Sequence, residues 1–116
     1  MENKITEQEL INKYCALIRH YIEERHYRLD REECSDFGSY YFVIKRYDGD
    51  DSWTKIRVSN HSPIDKHDDI DVHFRIDMRS LKRPTKKLKE KVYRVLDSAM
   101  NKTAYLHCRS CIKHLV

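Results

Sequence analysis

Residues 70–78 have the sequence IDVHFRIDM, in which apolar and polar side chains alternate without interruption. This period of two is typical of a β-strand that packs one face on a core and turns its other face outward. The outward residues would be Asp71, His73, Arg75 and Asp77. The inward residues would be Ile70, Val72, Phe74, Ile76 and Met78.

Two more strands are predicted before this one. Residues 40–45, with the sequence YYFVIK, are apolar on both faces, which indicates a central or covered strand. Asp48-Gly49 predicts a hairpin turn, and a second strand follows at residues 53–60. Its inward residues would be Ile56 and Val58, and its outward residues Lys55 and Arg57.

A long first helix is predicted over residues 6–29. Residues 6–9, Thr-Glu-Gln-Glu, form a capping box with Thr6 as the N-cap. Ile5 and Leu10 occupy the two positions of a hydrophobic staple. Apolar residues then recur at helical spacing as far as Ile22.

A second helix is predicted over residues 84–101, with its apolar stripe running from Leu88 to Met100. The pattern of the tail, residues 102–116, leaves a third helix open. The sequence therefore predicts one domain, residues 1–116, of the α+β class with the order α-β-β-β-α. Its three-stranded antiparallel meander sheet, residues 39–78, would be packed by the two helices on one face.

Composition narrows the class of function. The chain has 116 residues with only two glycines and two prolines, so glycine-rich phosphate loops are absent. Residues 1–8 are polar, no apolar run is long enough for a membrane span, and the four cysteines are unevenly spaced. We therefore expect a cytoplasmic protein with no membrane partner. Because no nucleophile and base stand out by their spacing, binding is expected rather than catalysis.

Charge is divided along the chain. Residues 1–78 hold 12 Lys and Arg against 17 Asp and Glu, whereas residues 79–116 hold 11 against 2. Cations at the start of the second helix oppose the helix dipole, so local stability does not explain them. They predict a nucleic-acid or polyanion-binding site. Its residues would be Arg79, Lys82, Arg83, Lys86, Lys87, Lys89, Lys91 and Arg94.

This lysine cluster and the predicted element order resemble a double-stranded-RNA-binding domain. In that family, lysines at the start of the last helix contact phosphates across the RNA major groove. Here Lys86, Lys87 and either Lys89 or Lys91 match that cluster. The chain departs from the family in its longer first helix, and it has neither the glycine-rich approach to the last helix nor the Gly-Pro-x-His loop.

A second resemblance involves residues 39–43, SYYFV, and residues 55–62, KIRVSNHS. This strand, hairpin and strand are similar to those of small phage and prophage proteins. The resemblance implies a phage or mobile-element accessory protein. Such a protein would inhibit a host nucleic-acid-handling defence system by stoichiometric binding, as anti-CRISPR inhibitors do. Its partner would be a host protein or ribonucleoprotein. Residues 59–62 alone are interpreted as turn chemistry at a strand end.

Two groups of residues are candidates for binding such a partner. Tyr and Trp are favoured at binding hot spots, but packing of a small sheet also accounts for them. Closely spaced carboxylates can occupy a groove meant for phosphates, although a solvated loop is the simpler interpretation. The protein would act as a monomer or a homodimer. The candidates are Tyr40, Tyr41, Tyr47 and Trp53 on the hairpin and Asp65, Asp68 and Asp69 in the following loop.

The C-terminal tail contains a Cys-x-x-Cys pair flanked by histidines. His107, Cys108, Cys111 and His114 are residue types that bind zinc. No second ligand pair lies at a usual distance, and packing of Cys108 and Cys111 as core thiols is the favoured interpretation over zinc or a redox pair. No cofactor is expected apart from this candidate zinc.

Overall fold

The computed structural model of the protein describes residues 5–35, 38–45, 53–60, 70–79, 81 and 83–102. In chain order, one helix precedes the four strands and one helix follows them, and this arrangement confirms the α+β class. The sheet has four strands, and the prediction of three was wrong. The elements are α1 (Glu7–Glu24), β1 (Arg28–Cys34), β2 (Tyr40–Lys45), β3 (Trp53–Ser59), β4 (Val72–Arg75) and α2 (Lys87–Lys102).

Helix α1 begins as its sequence predicts. The Thr6 amide donates to the Glu9 carboxylate at 2.9 Å, and the Glu9 amide donates to the Thr6 hydroxyl at 3.1 Å. The hydrogen bonds with Thr6 lower the pKa of the Glu9 carboxyl. Ile5 and Leu10 are both buried. The capping box is therefore confirmed, and it aligns the buried face of α1 with the core.

The end of α1 differs from the prediction, because the helix stops at Glu24 rather than at residue 29. His26 takes the left-handed conformation, with φ of 60°. Its amide donates to the Glu23 carbonyl, and the Tyr27 amide donates to the Ile22 carbonyl. This is a Schellman motif, which usually carries glycine at its left-handed position. A histidine there gave no sequence signal for the helix end.

Strand β1 was missed for a related reason. Residues 28–34 have the sequence RLDREEC, and all but Leu29 are exposed. A strand without a buried face shows no apolar alternation. It pairs antiparallel with β2, and the pairing is irregular between Leu29 and Arg31.

The direction of the last strand is a second correction. The sheet order is β1-β2-β3-β4, and β4 runs parallel to β3, so the fold is not an antiparallel meander. Twelve residues separate Ser59 from Val72. A connection of a dozen residues lets the chain return to the start of its neighbour, as a parallel pair requires. Alternation of apolar and polar side chains predicts which face of the sheet each residue occupies. It does not predict whether a strand runs parallel or antiparallel to its neighbour.

Both helices pack on the same face of the sheet. The ring centroids of Tyr14 in α1 and Phe74 in β4 are 5.5 Å apart. The apolar stripe of α2 packs in the same core. Neither described helix is long and apolar enough to cross a membrane. Residues of this core with no more than 1% exposure include Ile18, Tyr21, Phe42, Ile44, Ile56, Val58, Val72, Phe74, Val92 and Leu96.

A polar network ties α1 to α2. The Tyr21 hydroxyl donates to the Asp97 carboxylate at 2.6 Å, and the Arg25 guanidinium donates to the same carboxylate at 3.1 and 3.2 Å. Arg25 also lies over the rings of Tyr21 and Tyr93. Burial raises the pKa of Tyr21, while the Arg25 hydrogen bonds lower the pKa of Asp97. The network fixes the position of α2 on α1.

Replacing His26 by glycine is expected to stabilise the protein by about 0.5–1 kcal/mol, because glycine adopts the left-handed conformation without steric strain. Urea unfolding followed by circular dichroism measures the change. His20→Gly is the matched control, since His20 is exposed inside α1. The unfolding free energy of the His20→Gly variant should fall by about 1 kcal/mol, which is the usual cost of glycine inside a helix. A His26→Gly variant that is equally destabilised would contradict the assignment.

Replacing Asp97 by asparagine is expected to lower the unfolding free energy at pH 7 by about 1 kcal/mol, since the pair is partly exposed. The folded-state pKa of Asp97 is lowered, so its contribution is complete above the unfolded carboxyl pKa of about 3.9. It is lost as the pH falls through the folded pKa. The difference between wild type and variant should therefore shrink below about pH 4 in urea titrations. A difference that does not change with pH would contradict this account.

Candidate functional site

The predicted basic residues form an exposed surface at the start of α2. All seven described members are exposed, while Lys82 lies outside the described residues. We call this set the basic surface. Its members are Arg79, Arg83, Lys86, Lys87, Lys89, Lys91 and Arg94.

Three cations of the basic surface share one face of α2. Lys87, Lys91 and Arg94 are spaced by four and three residues, which places them side by side along the helix. Among the described residues, no carboxylate forms an ion pair with any of the three. Glu90 lies one turn from Lys87 and Arg94 and offsets part of their charge, and the positive charge that remains is mutually repulsive. The fold therefore presents these charges to whatever approaches the helix.

The start of α2 adds to this positive potential. The Thr85 hydroxyl accepts a hydrogen bond from the Lys87 amide at 3.2 Å, which marks the first turn. The amino end of a helix carries a partial positive charge from its free amides. Lysines near that end raise the positive potential further, where acidic residues would stabilise the helix. This arrangement favours an anionic ligand.

Lys89 differs from the other members. Its ammonium group is 3.9 Å from the Glu24 carboxylate and 5.3 Å from the centre of the Tyr93 ring. Both groups belong to the contact between α1 and α2. Lys89 therefore stabilises the contact between α1 and α2. The cations of the basic surface that precede and follow Lys89 in the sequence remain available for a ligand.

A surface cavity of about 470 Å³ adjoins the basic surface. The cavity lies beyond the carboxyl ends of β3 and β4. Both strands finish at the same end of the sheet because they are parallel. Asp77 turns the chain here, since its carboxylate accepts from the amide of Arg79 at 2.9 Å. The described residues that line the cavity are Asn60, Arg75, Ile76, Asp77, Met78 and Arg79.

Met78 was expected in the core, and this prediction was wrong. Strand β4 ends at Arg75, three residues earlier than the alternation suggested, and Met78 is 47% exposed. The last ladder hydrogen bond joins the Ile76 amide to the Ser59 carbonyl at 2.8 Å. Beyond it the chain turns at Met78 and Arg79. The apolar side chain is thereby placed in the cavity.

The sheet face opposite the helices is polar but largely buried. Arg57, Asp71 and His73 lie on this face, as the alternation predicts, but each is no more than 9% exposed. The Ser59 hydroxyl and Nε2 of His73 are 2.8 Å apart. Spacing along the chain did not indicate this pair, which arises from the parallel pairing of β3 with β4. With exposures of 0% and 1%, the pair is shielded from a substrate and serves the packing.

The hairpin aromatics lie on both faces of the sheet. Tyr40 packs against the helix-side core, and its hydroxyl accepts from the Gln8 amide at 3.3 Å. Tyr41 is half-buried on the opposite face beneath Lys55. Trp53 is 44% exposed, with Lys45 over its ring. Of the hairpin aromatics that the structure describes, Trp53 is therefore the best placed to meet a partner. The other partner-binding candidates, Tyr47, Asp65, Asp68 and Asp69, lie outside the described residues.

The candidate zinc ligands, His107, Cys108, Cys111 and His114, also lie outside the described residues. Within the part of the chain that the structure describes, no group of three or more His, Cys, Asp or Glu side chains is arranged to hold a metal ion. Cys15 and Cys34 are free thiols. Burial raises the pKa of Cys15 to about 11, so this thiol is a core group.

Comparison of the chain with protein-family models, curated proteins and solved structures found no match. The resemblances to phage proteins and to double-stranded-RNA-binding domains therefore stay predictions.

Replacing Ser59 by alanine is expected to destabilise the protein by about 1–2 kcal/mol, because the buried His73 ring loses its hydroxyl partner. Thermal and urea unfolding measure the loss. Ser98→Ala on α2 is the control, since Ser98 is half-buried and alanine favours a helix. Equal stability of Ser59→Ala and wild type would remove the structural role of this hydrogen bond.

Proposed function

We propose that the protein binds nucleic acid through the phosphate backbone, using the basic surface at the start of α2. The observation that carries this proposal is the row of Lys87, Lys91 and Arg94, exposed on one helix face without an acidic partner among the described residues. Such a row costs stability in the free protein through charge repulsion. A polyanion would relieve that repulsion.

The dimensions of the row suit a phosphate backbone. Residues 87 to 94 cover about 10 Å of helix axis, at 1.5 Å for each residue. That length is about three steps of a DNA strand at 3.4 Å for each step. The row can therefore lie beside several phosphates of one strand. Contacts of this kind give affinity without selecting a base sequence.

The position of the helix supports the same conclusion. Arg25 and Tyr21 hold α2 through Asp97, so the cations project from a fixed element. Asp97 is one of only two acidic residues after position 78 in the sequence, and it is engaged by that network. The other, Glu90, lies one turn from both Lys87 and Arg94 but forms no ion pair with either among the described residues, so the three cations of the row share a single neighbouring carboxylate.

A protein-directed inhibitor, as the phage resemblance implies, is the second candidate. The exposed Trp53 favours it, since tryptophan is enriched at the binding hot spots of protein interfaces. Both candidates involve a large charged partner. They differ in whether free nucleic acid binds at all.

Binding to labelled single- and double-stranded DNA and RNA, titrated with salt, is the direct test. We expect the logarithm of the association constant to fall linearly with the logarithm of the salt concentration. Contacts with about three to five phosphates would give a slope of about −3 to −4.5 on a duplex. Absence of binding at low salt would exclude the nucleic-acid proposal and leave the protein-directed inhibitor.

Lys91→Glu is expected to weaken nucleic-acid binding about tenfold and to make the salt slope shallower by about one or more, because a phosphate contact is lost. Lys13→Glu is the matched control, since Lys13 is also an exposed lysine inside a helix. It undergoes the same change of charge outside the basic surface, so it should retain nearly all of the affinity. Equal losses in the two variants would show a diffuse effect of net charge and would contradict a site on α2.

A further inference from the structure

The cavity at the ends of β3 and β4 has the size of a small-molecule site. Its volume of about 470 Å³ falls within the range of about 300–1,000 Å³ that is usual for ligand pockets. It lies at the carboxyl ends of two parallel strands, a position where α/β sheets commonly bind ligands. The parallel pair thus forms a ligand-sized recess, and this recess, unlike the cavity of about 460 Å³ beside Cys34 and Tyr41, shares a residue with the basic surface.

The lining of this cavity combines three kinds of contact. Arg75 and Arg79 supply positive charge, and both are exposed. Met78 supplies an exposed, polarizable apolar surface. Asn60 supplies a side-chain amide. Its nitrogen donates to the Glu7 carboxylate at 2.6 Å, and its oxygen can accept a hydrogen bond from a ligand. Positive charge, an apolar surface and a hydrogen-bonding amide together match the parts of a nucleotide.

Asp77 modifies this chemistry. Its carboxylate accepts from both the amide and Nε of Arg79, at 2.9 and 3.4 Å. The negative charge is therefore shared with Arg79, and Arg75 is the cation left for a phosphate. The side chain of Arg79 is 93% exposed. Arg79 belongs both to the lining of the cavity and to the basic surface, so the two sites share this residue.

We propose that this cavity receives one unstacked nucleotide of the nucleic acid held by the basic surface, with its phosphate on Arg75 and its base on Met78. The inference rests on the proposed function and adds a preference for single strands. A base inside a duplex is stacked and paired, and removing it costs a few kcal/mol. An unpaired nucleotide or a strand end enters the cavity without that cost.

The test is the binding of a labelled single strand of about 12 nucleotides and of the matching blunt duplex, measured by fluorescence anisotropy with the full-length protein. Wild type should bind the single strand at least about fivefold tighter. Met78→Ser and Arg75→Gln should each remove most of that preference and leave duplex affinity unchanged. Both side chains are exposed, so unfolding midpoints should match wild type.

Trp53→Ser is the matched control. Trp53 and Met78 are the exposed large apolar side chains among the described residues, so the two variants remove comparable surface. Trp53 lies at the opposite end of β3 from Ser59, which is about 20 Å away at 3.3 Å for each residue. Trp53→Ser should keep the single-strand preference. Loss of the preference in this control would move the nucleotide contact to the hairpin and overturn the proposal.

Three probes distinguish the sources of the nucleotide. Tighter binding of a 5′-phosphorylated strand than of a 5′-hydroxyl strand, with the difference lost in Arg75→Gln, would identify a strand end. Equal binding of the two strands with dependence on Met78 would identify an internal nucleotide. Competition by adenosine monophosphate alone, lost in Met78→Ser, would identify a free nucleotide.

The result that overturns this inference is distinct from the failure of the proposed function. If Lys91→Glu weakens binding while Met78→Ser and Arg75→Gln leave the single-strand preference intact, the basic surface stands and the cavity is excluded. If wild type binds neither single strand nor duplex at low salt, the proposed function fails, and this inference fails with it.

Discussion

The parallel pairing of β3 with β4 determines where the cavity and the start of α2 lie. It sets Ile56 beside Val72 and Val58 beside Phe74, which completes the core beneath both helices. It also brings the ends of the two strands to the same edge, where the chain turns toward α2. An antiparallel β4 would end at the opposite edge of the sheet. Asn60 at the end of β3 would then lie a strand length away from Arg75 and Arg79, and the cavity that these residues line would not form.

The second constraint is the contact between the helices. Asp97 accepts hydrogen bonds from Tyr21 and Arg25, so one carboxylate on α2 holds two residues of α1. The rings of Tyr21 and Tyr93 meet edge to face, and Arg25 covers both. Aromatic and charged groups thus fix the rotation of α2 about its axis. That rotation decides which cations face the solvent, so the position of the basic surface depends on a partly buried network that begins one turn from Arg94.

The sequence predicted an element wherever packing or capping leaves a regular pattern of residues, and gave no signal where neither does. The alternation around Phe74 and the stripe of α2 follow from packing against the core, the capping box at Thr6 follows from local hydrogen bonds, and all three were predicted. Strand β1 has no buried face, and α1 ends at a histidine rather than a glycine, so neither left a signal. The basic residues could be listed from composition. Their arrangement on one face, and the cavity beside them, depended on a strand direction that no local pattern encodes.

The charged outer strand β1 also affects how copies of the protein meet. Its row of main-chain groups could pair with the same strand of another molecule, which is the usual route to fused sheets. Its side chains, however, carry closely spaced charges of both signs, and Arg31 contacts Asp30 and Glu33 within its own strand. A neighbouring strand would have to strip water from these charges and disturb their pairing. The same lack of apolar pattern that hid β1 from prediction therefore makes it a poor template for aggregation.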